Sequence, residues 1–201
     1  MTNNFDKVFI LFKKNYVQVP LEVFEKDAYK TLISTLLSSR TNDKTTHAAS
    51  FRLFKKAANV NALKNLKTNE LKNLIYPVGF YKTKAKHLTN LAEIMIRDFS
   101  GEVPQTREEL MTLPGVGRKT ANLVLNRAFG IPAIAVDTHV HRISNMLGWV
   151  STNTPEQTES ELVKILPRKY WRDINRLFVS IGRQFTSKKK LDGFLRSNKL
   201  V

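Results

Sequence analysis

The stretch Leu113-Pro114-Gly115-Val116-Gly117 does most to fix what this chain can fold into. Gly115 and Gly117 carry no Cβ, so the backbone there can take positive φ and come close to a ligand. Pro114 sets its own φ and favours a tight turn. After the turn, Arg118 to Phe129 has helical spacing, with Ala121, Val124, Leu125 and Ala128 on one face. Gly130 and Pro132 end that run. Before the turn, Leu110, Met111 and Leu113 suit a preceding helix. The expectation is helix, glycine hairpin, helix. The first amides of the second helix have no internal partner and sit at its positive dipole end, so the hairpin is an anion site suited to phosphate.

Lys119 lies in the first turn of that second helix, off the apolar face, and so points away from the core. About one helix and a loop later, Val136-Asp137-Thr138-His139-Val140 puts a carboxylate at the mouth of another helix. Taken singly, Lys119 reads as a phosphate-binding lysine and Asp137 as a helix N-cap. Taken together, an amine nucleophile and a carboxylate facing a phosphate-binding turn are what base excision from DNA requires.

Charge points the same way. Lys and Arg number 33 against 17 Asp and Glu, a formal +16 over 201 residues. Such an excess is a nucleic-acid footprint, although a basic proteome or a membrane-surface protein would also show one. The absence of Cys removes disulfides, thiolate zinc sites and cysteine nucleophiles. Met1 to Lys7 lacks a basic-then-apolar leader, and no apolar run approaches the ~20 residues of a membrane span. A soluble, intracellular protein is expected.

Helical periodicity dominates, with helices expected at about 5–14, 27–38, 43–57, 59–66, 69–75, 82–98, 106–112, 117–128, 138–147, 155–164 and 168–185. Thr68, Thr106 and Thr154 are candidate N-caps, and Gly79, Gly101, Gly130 and Gly148 are candidate stops. Lys188-Lys189-Lys190 reads as a solvated tail. Trp149 and Trp171 read as core residues.

The sequence LPGVGRKTANLVLNRAFG followed by AVDTHVHR resembles the endonuclease III branch of the helix-hairpin-helix DNA glycosylases. Three further segments agree in order and spacing. Leu36 to Asp43 is similar to the family's LLSxQTxD segment, Val78 to Ala85 to its GxYxxKA segment, and Ile181-Gly182-Arg183 to its late HGR segment. The resemblance implies an all-α fold of two helical lobes, about 21–132 and 1–20 with 133–201, and a DNA-binding groove between them. It implies a monomeric bifunctional DNA glycosylase and AP lyase acting on double-stranded DNA with damaged bases or abasic sites. Lys119 would attack the sugar and form a Schiff base, with Asp137 stabilising charge or moving a proton. Oxidised pyrimidines such as thymine glycol are the expected substrates. Alternatives are a glycosylase for another damaged or mismatched base, or a non-catalytic hairpin protein that binds damaged DNA.

The resemblance also assigns DNA contacts. Arg40 stands where the family often has Gln, at a position expected to enter the duplex, and Phe80 stands at the wedge position, often Leu. Both have plainer readings, as a surface arginine and a core ring. Lys82 and Lys84 are candidate phosphate contacts, as are Arg118 and Arg183. Gly115, Val116 and Gly117 would offer amides to a phosphate, and their carbonyls could hold a monovalent cation once DNA is bound. His139 is expected beside the groove, and Arg142 as a phosphate contact or a brace for Asp137. Asp137 and His139 lack a third partner for a metal site, so no metal is expected. Most relatives carry four cysteines after the late GR, holding a 4Fe–4S cluster. With no Cys, this chain cannot ligate one that way, and Ser187 to Arg196 occupies the place of the cluster loop.

Overall fold

The computed structural model describes residues 4–201, which are helical with no β-strand among them. In chain order the helices are α1 (Phe5–Lys14), α2 (Ala28–Ser38), α3 (Asp43–Lys56), α4 (Val60–Lys64), α5 (Thr68–Ile75), α6 (Tyr81–Phe99), α7 (Arg107–Thr112), α8 (Arg118–Phe129), α9 (Thr138–Met146), α10 (Pro155–Ile165), α11 (Ile174–Gln184) and α12 (Lys188–Ser197). Short 3₁₀ turns cover Pro20–Phe24 and Arg168–Tyr170. Backbone contacts divide the chain into a central unit, Pro20–Ile131, and a terminal unit of Met1–Val19 with Pro132–Val201.

In the central unit the core helix is α2. Tyr29 and every residue from Thr31 to Leu37 are buried, because α3, α6 and α8 all pack on this helix. A helix enclosed all round must satisfy its own polar groups. Thr31 Oγ1 donates to Phe24 O at 2.8 Å, and Ser34 Oγ to Thr31 O at 3.3 Å. The apolar stripe of α8 closes this core, with Ala121 and Val124 fully buried.

The terminal unit is built on aromatic rings. Phe9, Phe12 and Phe178 are fully buried. Phe9 stacks on Tyr170 at 4.0 Å, and Phe12 meets Phe178 edge-on at 5.1 Å. Trp149 is in this core and Trp171 packs against it, as the sequence suggests.

Several helix ends differ from expectation. Thr106 caps α7 and Thr154 caps α10 in a full capping box with Gln157, but Thr68 lies inside α5, whose N-cap is Lys67. The run expected as one helix over 168–185 is a 3₁₀ turn followed by α11. The supposed solvated tail is α12, capped by Ser187, which accepts from the Lys190 amide. Leu191 and Leu195 of α12 are fully buried, and Phe194 stacks on Phe185 at 4.4 Å. Apolar residues at spacings of three and four drive that helix in spite of its three lysines.

Candidate nucleic-acid interface

The hairpin forms as its residues dictate. Gly115 takes φ 82°, the left-handed region that glycine enters without strain. The approach there is also close. A Cβ on Gly115 would lie 2.6 Å from His87 Nδ1 and 3.3 Å from Leu36 Cδ1. The turn draws in the Val116 amide, which donates to Leu113 O at 3.1 Å. Val116 is therefore not an amide for a ligand, and its side chain is buried, which corrects that part of the expected set. Gly117 is the N-cap of α8 and offers no side-chain acceptor, so the first amides of α8 are left uncapped at the positive end of the helix. Arg118 and Lys119 are the first two residues of α8, and both are exposed. The Gly117 carbonyl accepts from the Ala121 amide at 2.9 Å.

Asp137 is held differently. The run Ala133–Val136 is buried and apolar, and Asn175 of α11 anchors it by donating to Ala135 O at 3.0 Å. Asp137 then caps α9, with Oδ1 accepting from the His139 and Val140 amides, both at 2.9 Å. One carboxylate oxygen thus serves the cap, and the half-exposed side chain keeps Oδ2 outside that pair. The sequence did not single out Asn175, since one polar residue within a helix carries no distinguishing pattern.

His139 and Arg142 extend from α9 to α11. A Cβ on Gly182 would fall 2.2 Å from His139 Nδ1, so the glycine of the late motif lets this ring lie against α11. Arg142 donates from Nη1 to Thr186 O at 2.8 Å, and from Nη2 to Gly182 O at 3.2 Å and Phe185 O at 3.3 Å. It satisfies the free carbonyls at the end of α11, rather than a phosphate or Asp137. Arg183, one residue beyond Gly182, is exposed.

The central unit holds a second cluster. Arg40 and Phe80 each sit at positive φ, 50° and 57°, which is unusual for residues with side chains. Phe80 is 61% exposed, so it is not a core ring, and the Arg40 guanidinium lies 5.5 Å from its ring centroid. A cation over an exposed ring contributes about 0.5–1 kcal/mol. Behind them, Lys84 is only 6% exposed. Its ammonium donates to Leu37 O at 2.8 Å and Ser39 O at 2.6 Å. Lys84 is therefore not a phosphate contact, whereas Lys82 is exposed. Burial pushes the Lys84 ammonium down to about 8. An open pocket of about 250 Å³ joins this cluster to the hairpin, bordered by Ser39, Arg40, Phe80, Lys84, His87 and Gly115. The sequence reading missed His87 and Thr41, whose roles depend on tertiary neighbours.

The sequence has no thiolate to ligate iron, and among the described residues no group of three His, Asp or Glu could hold a metal ion. His141 Nδ1 is engaged by Thr158 Oγ1 at 2.6 Å. No helix among the described residues is long and apolar enough to cross a membrane.

Comparison with known proteins agrees with these features. Residues 33–168 match the family of HhH-GPD superfamily base excision DNA repair proteins. Endonuclease III of Thermotoga maritima is 49% identical over 160 residues, covering 80% of this chain and 75% of that protein. A solved non-covalent endonuclease III–DNA complex is similar with a TM-score of 0.82 and 34% identity, covering 92% of this chain and 85% of that one. A trapped endonuclease III–DNA covalent intermediate, an estranged-adenine complex, is similar with a TM-score of 0.78 and 35% identity over the same shares.

Proposed function

The chain belongs to the endonuclease III family of base excision repair enzymes, DNA glycosylases that are also abasic-site lyases, and on that premise we propose that it removes oxidised pyrimidines of the thymine glycol type through Lys119. The observation that carries this reading is the exposed lysine in the uncapped first turn of α8, directly after a glycine hairpin. The uncapped amides and the Gly115–Gly117 turn bind a backbone phosphate beside the damaged nucleotide. Arg118, Lys82 and Arg183 add phosphate contacts, and a monovalent cation held by the hairpin carbonyls would steady the same strand.

The chemistry follows from the side chains. The unprotonated Lys119 amine attacks C1′, the C1′–N bond breaks, and the base leaves with its electron pair and takes a proton. Asp137 stabilises the positive charge that grows on the sugar and helps move the proton. The C1′–O4′ bond then breaks, with O4′ taking the proton that the attached nitrogen gives up, and the ring opens to a protonated Schiff base between Nζ and C1′, which acidifies the C2′ proton. Its removal expels the 3′ phosphate by β-elimination. That a similar protein was trapped as a covalent intermediate with DNA supports this route. Arg40 and Phe80 enter the duplex and occupy the space left by the extruded nucleotide, which offsets a cost of a few kcal/mol for unstacking it. The enzyme works as a monomer on duplex DNA.

A duplex with a single thymine glycol, incubated with the protein and borohydride, tests the reading. A covalent adduct that disappears in Lys119→Gln is expected. An adduct on an abasic duplex but not on thymine glycol would move the substrate to another base. No adduct on either would make the protein a binder of damaged DNA without lyase chemistry.

A further inference from the structure

The sequence treats Lys84 as one of several basic residues, but its surroundings give it a specific task. Its backbone amide donates to Phe80 O at 2.9 Å, the first bond of α6. Its side chain turns back and bonds Leu37 O and Ser39 O, with Thr41 Oγ1 at 3.4 Å. These oxygens belong to the end of α2 and the turn that carries Arg40. Carbonyls at a helix C-terminus lack internal partners and favour a cation, and burying them unpaired would be costly.

Two further ties join the same segments. The Gly79 amide donates to Thr41 Oγ1 at 3.0 Å. A Cβ on Gly79 would come within 2.3 Å of Arg40 O, so the two turns touch backbone to backbone. Arg40 and Phe80, both at positive φ, stand on either side of this junction.

We propose that Lys84 is a positioning residue that locks the Arg40 turn to the Phe80 turn, so that the two exposed side chains meet DNA as one preformed element. The proposal rests on the reading that Arg40 and Phe80 enter the duplex. Preformation matters because ordering two strained turns on binding would reduce affinity for the lesion.

The test uses the full chain with Lys84→Met, read in two ways. Hydrogen exchange of the free protein is followed at residues 39–42 and 79–84 and, as a reference, in α8. Fluorescence of 2-aminopurine opposite a tetrahydrofuran abasic analogue reports entry into the duplex, with Phe80→Ala as control. Exchange at least tenfold faster in the two turns, an unchanged α8, and an aminopurine response cut about fivefold are expected. Binding to undamaged duplex should keep its wild-type salt slope, since no phosphate contact is lost. Wild-type exchange in the two turns would overturn the proposal. So would a salt slope reduced by about one, the mark of a lost phosphate contact. If Phe80→Ala keeps the full aminopurine response, the reading of duplex entry fails, and the exchange result still decides whether Lys84 locks the turns. Should Lys84→Met not fold, Thr41→Val removes only the hydroxyl that joins Lys84 and Gly79. Exchange of the Gly79 amide about threefold faster is then expected, and an unchanged rate would overturn the lock.

Discussion

Helix α9 begins with a carboxylate that takes two of its free amides, whereas α8 begins with a glycine whose missing side chain takes none. Both starts follow from one residue, Asp137 in one case and Gly117 in the other. A capped start contributes about 1 kcal/mol of helix stability. An open start forgoes that and keeps its amides and dipole for an anion. The contrast separates a helix end that stabilises itself from one reserved for a ligand, and the two proposed reacting groups are divided between them.

Removing the amine at the open start should have the largest effect. Lys119→Gln is expected to lower strand cleavage and borohydride trapping by about 10³-fold or more, while gel-shift affinity for lesion DNA stays within a few fold. Cleavage near the wild-type rate would remove Lys119 from the chemistry. At the capped start, Asp137→Asn keeps an N-capping side chain but loses the charge. Single-turnover base removal should slow by about 10²-fold or more, with a nearly unchanged melting temperature. Asp137→Ala should add a stability loss of about 1 kcal/mol, measurable by urea unfolding. If Asn and Ala melt alike, the cap is not what Asp137 contributes to the fold.

The contrast can also be abolished. Gly117 has an extended backbone, and a Cβ there would meet nothing within 4 Å. Gly117→Asp would give α8 the kind of cap that α9 has. Affinity for duplex DNA should fall about tenfold or more through phosphate repulsion, while stability rises by a few tenths of a kcal/mol. Undiminished DNA binding would show that the open amides are not the phosphate site.

The lysines repeat the contrast, with Lys119 exposed and Lys84 buried. Burial lowers Lys84 from 10.5 to about 8. Between those values the unfolded chain holds the proton that the folded chain has released, so stability rises with pH in that window. Below about 8 the burden of the buried charge is fully present. Relative to Lys84→Met, the wild type should gain about 1–3 kcal/mol between pH 8 and 10.5 by urea unfolding. A flat difference would contradict the burial argument.

What the sequence made legible is what local rules decide. The hairpin, the helix after it and the Asp137 start are encoded by neighbours within a few residues, and Thr106 and Thr154 cap as their positions suggest. What escaped depends on packing. Lys84 has the same local pattern as Lys82, yet one is buried and the other exposed, because α2 ends beside only one of them. Arg142 braces α11 across 40 residues of sequence, a distance over which periodicity carries no signal. Helix α12 was hidden by its lysines and Gly193, although Leu191, Phe194 and Leu195 already had helical spacing.

The central claim, that Lys119 at the open start of α8 is the nucleophile, is tested most directly by mapping the borohydride-trapped adduct. The adduct is digested and the modified peptide is sequenced by mass spectrometry. The account requires the sugar remnant on Nζ of Lys119. A remnant on Lys82, on Lys84 or on the N-terminal amine would contradict it.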